Sequence, residues 1–418
     1  MSGVAEAVHD RSTFAAGMTM LVASLVLNVW VLERIASPDG KFDDDTKTVL
    51  LVLNVCTGLV GAWLVWRRGE AAPMRWLSRL TSNHPRVAAL SNRLIVIVLL
   101  QGAAEIVFYN LNERATRMSL QYDVDEVQFF DPYFGSRPRP GITTTATMRF
   151  GDEHVYTATY SFDEHGRRIT PDPYPEKRRE SALLIFGGSF AFGSGVNGDE
   201  TLAYQLAERA PASRVYNCAY GGWSVQHMVA LLEQPGFADQ IRERAARAIF
   251  VYHPAHIGRT TGSFRNVQSY GRFFPCYERD AKTGAMVRVG SFEEAHPWRT
   301  ALYDLLAKEQ IARYVRFDFP PIGESQLEQT AELFAAAKDV FEKRFDAIGF
   351  DVVIFPEHPS NRIEANAIAP YLEARGINVI DCSNLLDLRE EGYLIPLEKH
   401  PTGLAYAELA AAVAKAMF

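Results

Sequence analysis

Three apolar stretches crowd into the first 111 residues of this 418-residue chain, and they limit its fold more than any other feature. Residues 14–32 and 48–66 are each 19 long and carry no charged side chain. As helices they would span roughly 28 Å, close to the hydrocarbon thickness of a bilayer. Residues 94–111 form a third stretch, interrupted by Gln101 and Glu105. One such segment alone would read as a buried core helix. Three in succession, separated by polar loops, read as transmembrane helices. The first is preceded by a single basic residue, Arg11, and no small-residue cleavage site follows it, so it does not read as a signal peptide. Glu105 reads as a protonated carboxyl hydrogen-bonded to Asn54 or Gln101 within a three-helix bundle.

Charge orients this membrane segment. Residues 67–93 hold six arginines, at 67, 68, 75, 79, 86 and 93, whereas residues 33–47 hold three basic and five acidic side chains. Basic loops stay cytoplasmic, so the 67–93 loop and the N-terminus face the cytoplasm and everything after residue 111 lies on the far side. Over the whole chain, 43 Lys and Arg stand against 50 Asp and Glu, a net charge of -7. That balance excludes a nucleic-acid binder, which needs a basic surface. Four cysteines with no CxxC pair exclude a disulfide scaffold or a zinc ribbon.

Beyond a membrane domain of residues 1–113, residues 114–178 read as a small β-rich linking segment. Val155 to Phe162 alternates β-branched and aromatic residues with polar ones, Asp163 to Gly166 is a turn, and Arg137 to Gly141 is a loop. From 179 to 418 apolar runs at 182–186, 214–218, 248–252, 351–355 and 378–380 alternate with helical stretches at 201–210, 225–233, 326–347, 363–374 and 402–417. Alternating strand and helix implies a parallel sheet covered on both faces, with ligands beyond the carboxyl ends of its strands. Residues 260–325 break the rhythm and read as an insertion, a candidate lid, with a helix near 298–314.

The loop after the first of these strands is Gly187-Gly188-Ser189-Phe190-Ala191-Phe192-Gly193-Ser194-Gly195. Ser194 stands where a phosphate-binding P-loop needs Lys, and the GxGxxG register fails, so the loop does not read as a phosphate cradle. Ser189 at a strand end, behind two glycines, fits a nucleophile whose own N–H faces an oxyanion. Before the last helix runs Glu398-Lys399-His400-Pro401. His400 fits a general base toward Ser189, Glu398 fits the acid that orients it, and Pro401 fits the first helical position. His253 and His256 form an HxxH without a third ligand nearby, so no metal is expected, and no cofactor. His358 and Arg259 are candidate pocket residues, with a structural role the stronger reading for His358. Cys218 and Cys382 read as small buried apolar residues, and Cys276 falls in the insertion.

These blocks resemble the SGNH (GDSL-type) hydrolase family, over residues 180–418. The stretch LLIFGGSFAFGSGVNGDETLAYQL is similar to the family's Gly-Asp-Ser block. VYNCAYGGWSVQHM stands where the family supplies an oxyanion glycine, best matched by Gly222 and next by Gly221. Glu398-x-His400-Pro401 is similar to the family's Asp-x-(x)-His-Pro. The resemblance looks closest to bacterial members with N-terminal membrane helices and a Gly-Arg segment like Gly166-Arg167-Arg168. It implies a flavodoxin-like three-layer α/β fold, a Ser189–His400–Glu398 triad, and a periplasmic domain on the cytoplasmic membrane. Three departures stand out. Gly188 replaces the Asp beside the nucleophile, and Glu398 replaces Asp. The Gly-x-Asn-Asp block is absent from Val251 to Arg259, which leaves His256 or Arg259 to supply the third oxyanion donor.

The reading that follows is a membrane-anchored serine esterase acting on a small ester or acylated glycan. With a glycan as acyl acceptor the same residues make an O-acetyltransferase, which would need a membrane partner protein to export its donor. The missing Asn motivates a third reading, a glycan-binding domain without catalysis.

Overall fold

The computed structural model describes residues 118–308 and 317–418, together with helical positions 17–21, 24, 51, 54, 55, 57–63, 104, 107 and 108. The chain divides into two units, Met1–Thr116 with Ala307–Arg316, and Arg117–Leu306 with Phe317–Phe418. Among the described residues no helix is long and apolar enough to cross a membrane. Most of the expected spans 14–32, 48–66 and 94–111, Glu105 included, lies outside the described residues. In the first unit Asn54 Nδ2 donates to the Ser24 carbonyl at 2.6 Å. A Cβ on Gly61 would lie 3.0 Å from the Gly17 carbonyl oxygen, so small side chains let these helical segments approach closely.

The second unit begins with β1 (Met118–Tyr122), the hairpin β2 (Gln128–Asp131) and β3 (Gly135–Pro138), then β4 (Thr143–Phe150) and β5 (Glu153–Ser161). Strands β1, β4 and β5 form an antiparallel sheet in that order, and β2 pairs only with β3. Arg137 and Pro138, expected in a loop, are the end of β3. These strands share a hydrophobic core with the domain that follows: Phe134, Ala158, Tyr160 and Phe162 are buried with Phe186, Phe192 and Trp223.

The five apolar runs become β6 (Ser181–Gly187), β7 (Ser213–Asn217), β8 (Ala245–Tyr252), β11 (Asp346–Ile354) and β12 (Asn378–Asp381). All pair in parallel in the order β12-β11-β8-β6-β7. Counted along the chain this is order 2-1-3-4-5, the flavodoxin-like arrangement. Interior strand β6 is buried from Ala182 to Gly187, as a strand covered on both faces must be. The connections are α1 (Ser189–Phe192), α2 (Leu202–Arg209), α3 (Val225–Glu233), α4 (Ala255–Thr261), α5 (Phe264–Ser269), α6 (Phe292–Ala295), α7 (Pro297–Leu306), α8 (Glu324–Arg344), α9 (Ala369–Glu373) and α10 (Gly403–Met417). Crossovers between parallel strands are right-handed, so the reversal at β6 puts α2 on one face and α3 on the other. Helix α10 packs on α2, and α8 on α3, completing three layers.

Three local differences from the sequence reading have physical causes. Residues 363–374 are not one helix but a 3₁₀ turn, Ala365–Ile368, followed by α9, because Pro370 lacks the N–H that a continuous helix would use. Helix α8 stops at Arg344, since β11 pairs with β8 from Asp346 onward. Pro401 is not the first helical position: α10 starts at Gly403, Thr402 caps it by accepting from Ala405 N, and Pro401 bridges to Leu394. The insertion holds α5, α6 and α7 and a hairpin of β9 (Pro275–Arg279) with β10 (Met286–Ser291). The helix expected near 298–314 is α7, Pro297–Leu306; residues 309–316 lie outside the described residues.

Candidate active site

The loop after β6 sits at the switch point, where the strand order reverses and loops on either side diverge. Gly187 takes φ +141, and a Cβ there would lie 2.9 Å from both Ala191 Cβ and the Val251 carbonyl oxygen. Gly188 needs space, not an unusual φ. A Cβ there would meet Arg259 Nη1 at 2.6 Å, the Trp223 oxygen at 3.0 Å and His256 Nε2 at 3.1 Å. No aspartate fits at 188 while those groups hold their places. Ser189, half-buried, opens the single turn α1.

So short a helix leaves its carbonyls without intrahelical partners. Here they are taken up largely by buried side chains. Tyr406 Oη donates to the Phe190 carbonyl at 2.8 Å. Asn217 Nδ2 lies 3.3 Å from the carbonyls of both Ala191 and Phe192. Arg168 donates to Phe192, Gly193 and Val196 carbonyls at 2.9, 2.6 and 2.7 Å, its guanidinium lying over the Tyr160 and Phe192 rings. Burial lowers the Arg168 pKa to about 10, which still leaves it charged at neutral pH. Nothing in the spacing of 168, 217 and 406 marks them as partners of one helical turn; only the Gly166-Arg167-Arg168 segment gave a hint.

The acid–base loop is built by its own backbone. Ile395 N bonds to the His400 oxygen at 2.8 Å and Lys399 N to the Ile395 oxygen at 2.9 Å. Leu397 and Lys399, either side of Glu398, take φ +64 and +73, a conformation costly for residues with a Cβ and frequent at functional sites. One Glu398 oxygen accepts from His400 N at 2.9 Å, and the other bonds His400 Nδ1. A carboxylate at Nδ1 selects the tautomer whose Nε2 carries the free lone pair. That Nε2 is buried and without a partner, so it is not hydrogen-bonded to Ser189 Oγ. In unliganded sites such bonds often tighten only when substrate binds. The His400 ring lies 5.2 Å from that of Phe190, next to Ser189.

His358 supports this loop, with its ring 5.6 Å from that of Phe190. Its Nε2 donates to the Lys399 carbonyl at 3.0 Å, and its Nδ1 accepts from Ser360 N at 3.1 Å. Burial lowers its pKa, keeping it neutral for that role.

Gly221 and Gly222 are the centre of a turn closed by Trp223 N to the Tyr220 oxygen at 3.1 Å. Gly222 has φ +81 and Gly221 does not, which makes the turn type II and requires glycine at 222. Gly221 faces open space. The β2–β3 hairpin grips this turn: Trp223 Nε1 donates to the Ser136 oxygen at 3.0 Å, and Trp223 stacks between Phe134 and His227. His227 Nδ1 accepts from Ser224 N and its Nε2 lies 3.2 Å from the Phe134 oxygen, a pairing that fits the neutral ring. Burial lowers its pKa to about 3.

His256 and Arg259 come to Gly188 from α4. His256 Nδ1 faces two backbone groups of His253, the N–H donor at 3.1 Å and the carbonyl oxygen at 3.0 Å; accepting from the N–H leaves the proton on Nε2. That Nε2 is buried, unpartnered and aimed toward Gly188. Burial first, and the Arg259 charge second, hold His256 well below its ordinary pKa, so it is neutral. Arg259 is tied by Nη1 to the Trp223 oxygen and by Nε to Tyr270 Oη, both at 3.2 Å. His253 stacks on Phe190 at 4.5 Å, and its Nε2 is also buried without a partner. Three buried imidazole nitrogens without partners around one serine turn are exceptional, because buried polar atoms are normally satisfied.

No protein-family model matches this chain. No curated protein matches it either. Among solved structures, a member of the lipolytic protein G-D-S-L family from Veillonella parvula DSM 2008 is similar at 12% identity and a TM-score of 0.33, covering 56% of this chain and 97% of that one. LAE5, an alpha/beta hydrolase enzyme from the metagenome of Lake Arreo, is similar at 12% identity and a TM-score of 0.33, covering 58% and 96%. Axe2, an acetylxylan esterase from Geobacillus stearothermophilus, is similar at 11% identity and a TM-score of 0.32, covering 57% and 95%. The solved structures that this chain is similar to thus include G-D-S-L lipolytic proteins and acetylxylan esterases.

Proposed function

We propose that this chain is a membrane-anchored serine esterase or acyl hydrolase working outside the cytoplasm. Ser189 Oγ attacks an ester carbonyl while His400 Nε2 takes its proton. The imidazolium so formed is stabilised by Glu398 and returns the proton to the leaving alcohol. The tetrahedral oxyanion lies among the N–H groups of Ser189 and Gly222 and the Nε2–H of His256, the last in place of the absent Asn. Water, activated by the same His400, then releases the acid.

The observation that carries this reading is the His400 imidazole. Glu398 fixes its Nδ1–H, and its Nε2 is left buried and unpartnered beside the serine turn. A cleft of about 300 Å³ adjoins His253 and Arg259 and is lined by Asn266, Tyr270, Asp318 and Arg362. Apolar groups such as Pro254 and Ile322 share that lining, and Asn266, Asp318 and Arg362 offer hydrogen bonds to a sugar that carries a short acyl group. The same hydrogen-bonding groups favour a second reading, transfer of the acyl group to a glycan.

A fluorophosphonate probe on the purified full chain tests the proposal. Labelling of the wild type that Ser189→Ala abolishes is expected; a folded wild type that does not label would sink both readings. Nitrophenyl acetate hydrolysis, compared with acetyl transfer to an oligosaccharide, separates hydrolase from transferase.

A further inference from the structure

The geometry points to a transition-metal site in the insertion, made by Cys276, Glu278 and His296 and fitted to Zn²⁺. Cys276 and Glu278 are two apart on β9, so their side chains leave the same face of the strand. His296 follows α6, whose first turn is fixed by Ser291 Oγ accepting from Glu294 N at 3.3 Å and Glu294 accepting from Ser291 N at 2.8 Å. This capping box leaves His296 facing β9. Cys276 Sγ lies 3.7 Å from His296 Nε2, and Glu278 Oε1 lies 3.3 Å from the same nitrogen. All three ligand atoms fall within 4.8 Å of one another.

The two separations from His296 Nε2 are close to the ones a tetrahedral ion would impose. With Zn–S near 2.3 Å and Zn–N and Zn–O near 2.0–2.1 Å, tetrahedral angles put sulfur and nitrogen about 3.5 Å apart, and nitrogen and oxygen about 3.4 Å apart. A thiolate, an imidazole and a carboxylate together suit zinc better than calcium or magnesium, which take oxygen ligands. A nucleophilic thiol triad fits less well. In a triad the acid and the thiol bind opposite nitrogens of the ring, and here both reach Nε2. Glu278 is exposed and His296 half-buried, so the fourth position opens to water and the ion can exchange. On binding, the Cys276 thiol gives its proton to solvent and the sulfur bonds the metal. No redox step is involved. Arg299, the nearby cation, is held by the Thr261 and Gly262 carbonyls and Tyr303 Oη.

The site is independent of the esterase chemistry but touches its wall. Tyr270 and Phe274, just before β9, would lie within 3.1 and 3.6 Å of a Cβ on Gly222. A metal tying β9 to the start of α7 braces that segment.

Cobalt(II) titration of the metal-stripped full chain tests this. The expected result is one equivalent of Co²⁺ per chain with a thiolate-to-cobalt charge-transfer band, displaced by Zn²⁺. Cys276→Ser should abolish the band, and His296→Ala and Glu278→Gln should weaken binding by at least about tenfold. Cys382→Ser should change nothing. Should Cys276→Ser fail to fold, the other two variants decide. A folded wild type with no stoichiometric cobalt, or bound cobalt without the thiolate band, would overturn the site and leave only a Glu278–His296 ion pair. So would a band that persists in Cys276→Ser, or affinities of His296→Ala and Glu278→Gln equal to that of the wild type.

Discussion

Tyr406, on the last helix of the chain, donates its hydroxyl to the carbonyl of Phe190, the residue that follows Ser189. The helix that carries Tyr406 begins just after His400, so a buried phenol ties the base loop to the nucleophile turn, beside the packing of His400 on Phe190. Tyr406→Phe keeps the packing and leaves the Phe190 carbonyl unsatisfied. A loss of about 1–3 kcal/mol is expected, read as a lower urea midpoint, with slower fluorophosphonate labelling of Ser189. Labelling at the wild-type rate would show that the turn does not need this tether.

Arg168 does the same work from the other side. It is 2% exposed, and its charge is balanced by carbonyl dipoles at Phe192, Gly193 and Val196. Arg168→Met would strand those carbonyls. A loss of roughly 3–5 kcal/mol is expected by urea denaturation, and Arg168→Lys should restore only part of it, since an ammonium cannot span the same fork.

The parallel sheet was legible because strands buried on both faces must be continuous apolar runs. The two ends of the site were legible because Gly187-Gly188-Ser189 and Glu398-x-His400-Pro401 are local. What joins them was not. Arg168, Asn217 and Tyr406 converge on α1 from three distant segments, and polar side chains that satisfy buried carbonyls carry no periodicity. The insertion was opaque for the same reason. Arg272 pairs with Glu293 and Asp304, and Ser263 with Asp318, across 21 to 55 residues. Cys276 and His296 meet 20 residues apart without a spacing that announces a site.

Gly188 and Arg259 form a testable pair. Gly188→Ala would put a methyl 2.6 Å from Arg259 Nη1, which can swing away, and 3.0 Å from the Trp223 oxygen, which sits on the gripped turn. Esterase activity should fall in Gly188→Ala and recover in part in Gly188→Ala with Arg259→Ala. A double-mutant cycle measures this coupling, and strict additivity would place the two residues in separate roles.

Glu398 reaches both the backbone N–H and the Nδ1 of His400 because its side chain folds back over one residue. Glu398→Gln retains an acceptor but not the charge that stabilises the imidazolium. The turnover number for a nitrophenyl ester should drop by about 10³–10⁴ with KM little changed. Glu398→Asp, a methylene shorter, should fall between that variant and the wild type. An unchanged rate in Glu398→Gln would remove Glu398 from the mechanism.

Among the buried histidines, His227, His253 and His256 make the fold most acid-sensitive. Burial lowers His227 to about 3, and holds His253 and His256 well below 6.5, so all three stay neutral while folded. In the unfolded chain they take up protons as the pH falls through 6.5, the ordinary histidine value. The unfolded state then binds more protons than the folded one, so stability falls with falling pH. Above about pH 7 neither state is protonated at these sites and the contribution is fully present. Below that each histidine costs up to about 1.4 kcal/mol per pH unit, and the loss continues until the pH reaches the folded-state pKa. The urea midpoint should therefore be distinctly lower at about pH 5.5 than at about pH 7.5, in a range where carboxylates contribute little. His227→Gln, which keeps a hydrogen-bonding side chain without a titrating one, should reduce the slope by about one proton. An equal midpoint at both pH values would mean that these rings are protonated in the folded state, and a protonated His253 would be a second cation beside Arg259, facing the serine turn.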